Sequence, residues 1–245
     1  ASLSKLQGQP LPRPQAGVPA PVLTPLQRRE SAARRMAAAL GYNECVTYSF
    51  IDARAAALFG GGGEAVRLEN PISSEMTHLR PDLLPGLLAA AARNQARGFA
   101  DLALFELGPV FSGGEPGEQS MSACGIRRGL AKVNGAGRHW QGSASADVFD
   151  VKADALSLLS ALGINADALQ LTRDAPAWFH PGRSASLRLG PLVLGSFGDA
   201  HTTFGDADFG WLGLLLGWSI QAGGAWSGIF IAVIGLVILA VGWVC

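Results

Sequence analysis

The sequence predicts an α+β domain in which helices lie on one side of a mostly antiparallel sheet. Apolar residues recur at helical spacing in several segments, while other short runs are alternating or continuously apolar, as is typical of strands. A tight turn at Gly190 and Pro191 joins two of these runs as a hairpin. Antiparallel pairing mixed with helices is the pattern of α+β folds.

Residues 1–24 are predicted to form a proline-rich linker. Six prolines occur from Gln9 to Pro25, and this density favours an extended chain over a helix. The chain begins at Ala1 without methionine, which we interpret as the start of a fragment. No charged segment followed by an apolar core is present at this end, so no secretory signal is predicted.

The first predicted helix runs from Pro25 to Leu40. Thr24 can cap it, and Gly41 closes the turn that follows it. Its polar surface carries four arginines, which form either an ordinary solvated face or a contact with RNA or a partner: Arg28, Arg29, Arg34 and Arg35. Because Lys plus Arg and Asp plus Glu both number 19, the chain has no overall positive field, and any RNA contact must be local.

Alternation of apolar and polar residues predicts a half-buried strand over Val46–Phe50. An alanine-rich helical stretch then runs to Phe59. Gly60–Gly63 resembles a phosphate-binding loop only in composition, because no Lys followed by Ser or Thr comes after it. We interpret this glycine run as a flexible turn.

A helix followed by a buried strand is predicted in the middle of the chain. Asp82 can cap a helix that runs to Arg97, and Pro85 falls in the first turn, where its missing N–H breaks no intrahelical bond. The strand Leu102–Leu107 is apolar on both sides and should lie in the middle of the sheet. Glu106 is costly to bury unless it is paired, so we expect an arginine partner inside the fold.

The second half predicts a strand near Asp147–Val151, a helix over Ala153–Leu162, and a hairpin of Ser184–Leu189 with Leu192–Phe197. The three cysteines are scattered without the spacing of metal ligands, and we interpret them as reduced thiols. His180 titrates near neutrality, but no nucleophile or carboxylate is fixed beside it by local sequence, so we expect a turn-forming or packing role. No metal site and no catalytic residue is predicted.

Five segments resemble the beta chain of bacterial phenylalanyl-tRNA synthetases in their order and spacing. They are Gly41–Phe50, Asn70–Asn94, Leu104–Phe111, Phe149–Leu159 and His180–Ala185. The resemblance covers about residues 1–201. It implies a class II synthetase-like module over residues 25–201, with a mostly antiparallel sheet, flanking helices and a truncated end.

In this family the corresponding module performs no chemistry, because the active site belongs to the alpha chain. The resemblance therefore implies a non-catalytic scaffold in a cytoplasmic assembly of two alpha and two beta chains, which attaches phenylalanine to its tRNA. ATP and Mg²⁺ would bind the assembled enzyme and not this segment. Ser112 and Gly113 follow Phe111, where a class II active site would carry an arginine that binds phosphate, and this agrees with a segment that does not bind ATP.

The resemblance also implies a site of contact with the alpha chain. The class II equivalent of the helix Asp82–Arg97 lies at a subunit interface, although this helix could equally be an ordinary core helix. The predicted contact residues are Asn70, Pro71, Arg80, Leu84, Leu88 and Asn94.

Residues 202–245 form an apolar tail that does not match the family, and no charged residue occurs from Phe209 to Cys245. As a helix, residues 225–245 would be about 31 Å long, close to the hydrocarbon thickness of a bilayer. With the preceding run around Gly213 and Gly217, they could form a transmembrane hairpin. Three interpretations of the tail stay open: a membrane anchor, a segment joined by a frame slip or a misjoined gene fragment, and a buried terminal element. The first would make the chain a membrane-anchored binding module.

Overall fold

The computed structural model describes residues 23–129, 145–200 and 215–222. The helices are α1 (Pro25–Ala39), α2 (Ala53–Leu58), α3 (Leu84–Ala96) and α4 (Val148–Ala161). The strands are β1 (Asn43–Glu44), β2 (Phe50–Ile51), β3 (His78–Leu79), β4 (Leu102–Phe111), β5 (Gln119–Arg128), β6 (Gln170–Thr172), β7 (Phe179–Leu189), β8 (Leu192–Ala200) and β9 (Leu215–Ala222).

One seven-stranded sheet organises these elements, in the order β1-β4-β5-β9-β8-β7-β6. Its strand pairs are antiparallel except β1 with β4, which is parallel. Strands β2 and β3 form a separate antiparallel pair. The predicted α+β class with a mostly antiparallel sheet is therefore confirmed.

Helices cover both faces of the sheet, so the prediction of helices on one side is wrong. Phe105 packs in a core cluster with residues of α1 and α4, whereas Leu104 packs in a second cluster with residues of α3. Successive residues of a strand point to opposite faces, so these two clusters lie on opposite sides of β4. A strand that is apolar on both sides is buried by helices on both faces of the sheet. Strand β4 lies between β1 and β5, inside the sheet, as predicted.

Side-chain hydrogen bonds to backbone N–H groups occur at the starts of three helices. The Thr24 hydroxyl accepts a hydrogen bond from the Gln27 N–H at 3.2 Å, and the Gln27 side chain accepts one from the Thr24 N–H at 2.9 Å, which forms a capping box. The Asp82 carboxylate accepts from the Leu84 N–H, the first of α3, at 2.8 Å, but the N-cap residue is Leu83, one position later than predicted. Asp147 accepts from the N–H groups of Phe149 and Asp150 and starts α4, so the strand predicted near Asp147–Val151 is wrong.

The strand predicted over Val46–Phe50 is also wrong for most of its length. Only Phe50 belongs to a strand, β2, and residues 46–49 have no regular secondary structure. Val46 and Tyr48 are 93% and 72% exposed, so the alternation places the apolar side chains on the surface. The hairpin of β7 and β8, by contrast, is confirmed and turns at Gly190, whose φ is +60°.

Residues 215–222 form β9, which pairs with β5 on one side and β8 on the other. The predicted helical hairpin is therefore wrong for this run, and the buried terminal element is the interpretation that fits it. Ile220 is 2% exposed and packs in the core. The predicted linker residues 1–22 and the apolar run 225–245 lie outside the described residues. Within the described ranges, no helix has the length and apolar character needed to cross a membrane.

Candidate subunit-contact site

A segment without regular secondary structure, residues 45–49, follows β1 at the edge of the sheet. The Cys45 N–H donates to the Phe105 carbonyl at 2.7 Å, and the Arg80 N–H donates to the Ser49 carbonyl at 2.9 Å. These two bonds fix the ends of the segment. Between them, Val46 and Tyr48 point outward and Thr47 points into the molecule.

Thr47 is held by a buried ion pair between Arg80 and Glu106. Arg80 Nη1 donates to Glu106 Oε1 at 2.7 Å, and the two side chains are 2% and 3% exposed. The Thr47 hydroxyl donates to Glu106 Oε2 at 2.7 Å, and the Thr47 N–H donates to Glu106 Oε1 at 3.2 Å. Arg80 Nε donates to the Pro109 carbonyl at 2.9 Å. The expected arginine partner of Glu106 is thus confirmed.

Two glycines leave room for this network. A Cβ at Gly86, in the first turn of α3, would lie 2.2 Å from Thr47 Oγ1. A Cβ at Gly108, on β4, would lie 2.6 Å from Arg80 Nη2. Both distances are far below van der Waals contact, so the network depends on small residues at these two positions.

A groove of about 660 Å³ lies beside the exposed segment. Val46 and Tyr48 form one wall, and Pro85, Ala89 and Arg93 of α3 are among the residues of another. Exposed apolar and aromatic side chains beside arginines are typical of protein-protein contacts. The groove is also lined by both acidic and basic residues, Asp52, Arg54, Glu75 and Arg93, so it can receive apolar and charged side chains of a partner protein.

The predicted alpha-chain contact residues are divided between surface and core. Asn70 and Pro71 are exposed, in the loop that leads to the groove residues Glu75 and Met76. Arg80, Leu84 and Leu88 are buried inside the chain, where the two leucines belong to the core cluster of α3. Asn94 is half-buried, and its side chain donates to the Ala90 carbonyl at 2.8 Å.

Sequence reasoning missed Val46 and Tyr48 as surface residues. Their alternation predicts a strand with the apolar side facing inward. A signal for the outward position was present in Glu106, because a buried carboxylate needs several hydrogen-bond donors. If the Thr47 hydroxyl is one of these donors, Thr47 points inward and its apolar neighbours point outward.

The four arginines of α1 do not form a single free patch. Arg34 Nε donates to Glu44 at 2.9 Å, and Arg35 Nη1 donates to the Ser31 hydroxyl at 2.8 Å. Arg28 is exposed, and Arg29 is half-buried. The RNA contact stays a prediction.

A second cleft, of about 390 Å³, lies on the sheet face that carries α3. Two of its lining residues are the carboxylates Asp82 and Asp174, and none of its described lining residues is Lys, Arg or His. The Thr172 hydroxyl and the Arg188 guanidinium bind Asp174 and lower its pKa to about 2. Because Arg188 is paired with Asp174, the described lining offers no unpaired cation to a phosphate group.

The titratable groups give no sign of a nucleophile or a metal centre in the part of the chain that is described. Burial raises the pKa of the Cys45 thiol and raises that of Cys124 well above its usual value, so both thiols stay protonated at neutral pH. Among residues 23–129, 145–200 and 215–222, no three His, Cys, Asp or Glu side chains are grouped to hold a metal ion.

Comparison with known proteins identifies the family. Residues 10–208 match the family model described as the phenylalanyl tRNA synthetase beta chain CLM domain. The phenylalanine–tRNA ligase beta subunit of Cereibacter sphaeroides is 66% identical over 202 residues, which cover 82% of this chain and 24% of that protein. The corresponding subunit of Ruegeria pomeroyi is 62% identical over 205 residues, which cover 82% of this chain and 25% of that protein.

The chain thus spans about a quarter of the length of these curated relatives. Among solved structures, a pyrrolysyl tRNA synthetase from Desulfitobacterium hafniense has a similar fold, with a TM-score of 0.56 and 17% identity. The match covers 86% of this chain and 69% of that one. From the matched residues and the high identity to its relatives, the chain belongs to the family of phenylalanyl-tRNA synthetase beta chain CLM domains.

Proposed function

We propose that this chain is the non-catalytic scaffold module of a phenylalanine–tRNA ligase beta subunit. It binds the alpha chain, which carries out the ATP-dependent attachment of phenylalanine to tRNA in the cytoplasm. The proposal rests on the outward position of Val46 and Tyr48 beside the groove. Thr47, between them, is held in place by its hydrogen bond to the buried Glu106, which is paired with Arg80.

From the burial of the predicted contact residues, we infer two roles for them in this contact. Asn70 and Pro71 are exposed and can meet the partner directly. Leu84 and Leu88 hold α3 against the sheet, and Arg80 holds the exposed segment, so these three act by positioning the surface. Truncating them would weaken the contact through the fold.

Two features support the absence of chemistry on this chain. The cleft on the sheet offers carboxylates and hydroxyls but no described cation for a triphosphate. The charged pairs near the sheet, Arg80 with Glu106 and Arg127 with Asp154, are engaged in the core. ATP and Mg²⁺ are therefore assigned to the alpha chain.

Co-purification of the full chain with the alpha chain from the same genome tests the proposal. Tyr48→Asp should abolish capture, because it places an unpaired carboxylate in a desolvated apolar contact. Val193→Asp is the matched control, since Val193 is 44% exposed and lies outside the groove. Equal capture by both variants would contradict the proposed surface, and ATP–pyrophosphate exchange by the purified chain alone would contradict its non-catalytic role.

A further inference from the structure

A closed loop, residues 69–76, lies next to the exposed segment 45–49. The Leu68 N–H donates to the Thr77 carbonyl at 2.9 Å, and the Thr77 N–H donates to the Ile51 carbonyl at 3.0 Å. These bonds fasten the base of the loop to β2, the strand that directly follows the segment. Residues of the loop and of the segment also line the same groove. The loop and the segment therefore form one surface.

Ile72, in this loop, is a large apolar residue that is 85% exposed. Together with Val46 and Tyr48, it is one of the three most exposed large apolar side chains in the described ranges, and all three lie on this surface. Single exposed apolar residues are common on proteins, whereas several on one surface indicate a binding site. Pro71 restricts the backbone next to Ile72, which lowers the entropy cost of ordering the loop in a contact.

Ile72 is close enough to the groove to contact the same partner. Glu75 lines the groove, and the three residues of chain from Ile72 to Glu75 span at most about 11 Å. A stable interface covers about 800 Å² on each partner, which is a patch roughly 30 Å across. An interface that fills the groove is therefore wide enough to include Ile72. The predicted alpha-chain contact residues Asn70 and Pro71 directly precede Ile72.

The groove carries charges of both signs that have no ion-pair partner in the part of the chain that the structure describes. Glu75 lies on the loop, and Arg93 lies in the last turn of α3. Neither forms a salt bridge with another described residue. By contrast, the Asp52 carboxylate accepts a hydrogen bond from the Ala55 N–H at 2.9 Å. Unpaired charges at a contact fix its orientation, because the partner must present the opposite charges.

We propose that Ile72 is an apolar anchor of the contact with the alpha chain, and that Glu75 and Arg93 fix the orientation of the two chains. This inference rests on the proposed function, because the surface continues from Val46 and Tyr48, which are assigned there to the alpha chain. The alpha-chain face that fits presents an apolar pocket to Ile72, a basic side chain to Glu75 and an acidic side chain to Arg93.

Binding kinetics of the full chain and the alpha chain, measured by biolayer interferometry, test the anchor. Ile72→Asp should raise the dissociation rate about tenfold or more, because it places a charge in a desolvated pocket. Val193→Asp adds the same charge at an exposed apolar position outside the groove and should leave this rate unchanged. Urea unfolding should give the same stability for both variants, since both side chains are exposed.

Two charge reversals test the orientation. Glu75→Lys and Arg93→Glu should each lower the association rate about threefold or more, because each reversed charge meets a like charge on the partner. The two variants change the net charge of the chain in opposite directions, so a purely overall attraction would raise the rate of one and lower that of the other. Asp167→Lys is the matched control, because Asp167 is exposed and its short helical turn packs against α4, on the other side of the sheet from α3.

Tyr48→Asp separates this inference from the proposed function. If Tyr48→Asp abolishes binding while Ile72→Asp dissociates at the same rate as Val193→Asp, the anchor alone is overturned. Opposite rate changes in the two charge reversals overturn the orientation. If the unmodified chain does not bind the alpha chain, the proposed function and this inference both fail. A dimer of the chain alone that Ile72→Asp abolishes, with the alpha-chain affinity unchanged, would assign the surface to a second copy and overturn the inference.

Discussion

Arg80 and Glu106 form an ion pair inside the molecule, with 2.7 Å between Nη1 and Oε1. The same carboxylate accepts two hydrogen bonds from Thr47. Glu106 on β4 therefore links the segment before α3, which carries Arg80, to the exposed segment 45–49, which carries Thr47. The geometry of the outward-facing Val46 and Tyr48 thus depends on a charge pair that water does not reach.

Removing one partner of this pair should destabilise the fold strongly. Glu106→Gln leaves the Arg80 guanidinium buried without a counterion, which costs about 3–5 kcal/mol in comparable sites. Glu44→Gln removes the exposed partner of Arg34 and should cost less than about 1 kcal/mol. Urea unfolding of the two variants measures the difference, and equal midpoints would rule out a stabilising role for the buried pair.

Gly86→Ala should displace Thr47 from Glu106. Alanine usually favours a helix over glycine by about 1 kcal/mol, but here its Cβ would lie 2.2 Å from Thr47 Oγ1. Overpacking of this kind costs about 1–3 kcal/mol, so we expect a net loss of stability together with weaker alpha-chain capture. At Gly117 a Cβ meets no atom within 4 Å, and Gly117→Ala should change neither property. A more stable Gly86→Ala variant would show that Thr47 can move freely.

A second buried network joins the loop between α1 and β1 to β5 and α4. The Tyr42 hydroxyl donates to Asp154 Oδ2 at 2.6 Å and accepts from Arg127 Nε at 3.0 Å. Burial alone would lower the pKa of Arg127, but its hydrogen bond to Asp154 and the nearby Tyr42 raise it overall, so the arginine stays charged.

Tyr42→Phe leaves Asp154 one donor short and should cost about 1–3 kcal/mol in the free energy of unfolding. Tyr48→Phe, at an exposed tyrosine, should stay within about 0.5 kcal/mol of the unmodified chain. Thermal unfolding of both variants measures these changes. Indistinguishable melting temperatures would contradict a stabilising role for the Tyr42 hydroxyl.

Asp174 should titrate with a pKa of about 2, below the ordinary value of 3.8. A lowered pKa means that the carboxylate stabilises the folded state fully above the ordinary value, and that this contribution is lost as the pH falls through about 2. Because Asp174 is exposed, the effect on stability is small, and NMR titration of its carboxyl group is the suitable measurement. Arg188→Gln should raise this pKa, and an unchanged midpoint would contradict the pairing.

Strand β9 should be essential for the sheet. Ile220→Ala removes a buried side chain from the core and should cost about 2–5 kcal/mol. A chain ending at Ala222 should keep the fold, whereas one ending at His201 should lose it, because β5 and β8 would lack the strand between them. Circular dichroism and urea unfolding measure both, and a stably folded chain without β9 would contradict its position in the sheet.

Elements with local signals were predictable from the sequence. Asp82 and Pro85 mark the start of α3, and the continuous apolar run of β4 indicates a strand covered on both faces. The buried Glu106 implied an arginine, but the fold was needed to identify Arg80, because the pair is joined by tertiary packing.

Elements that depend on long-range pairing were not predictable in the same way. An uncharged apolar run suits a membrane helix and a central strand equally, and only its register with β5 and β8 identifies β9 as a strand. Similarly, Val46 and Tyr48 alternate as in a half-buried strand, but Thr47 binds Glu106 and turns the apolar side chains outward. In both cases tertiary contacts override the local pattern.

Calorimetric titration of the alpha chain into the variant Val46→Asp/Tyr48→Asp tests the central claim most directly. Both residues are exposed, so the variant should keep the stability of the unmodified chain, and urea unfolding verifies this. We predict that its affinity for the alpha chain falls by about 100-fold or more, as expected when two anchors of an apolar contact are replaced by charges. An affinity equal to that of the unmodified chain would contradict the account.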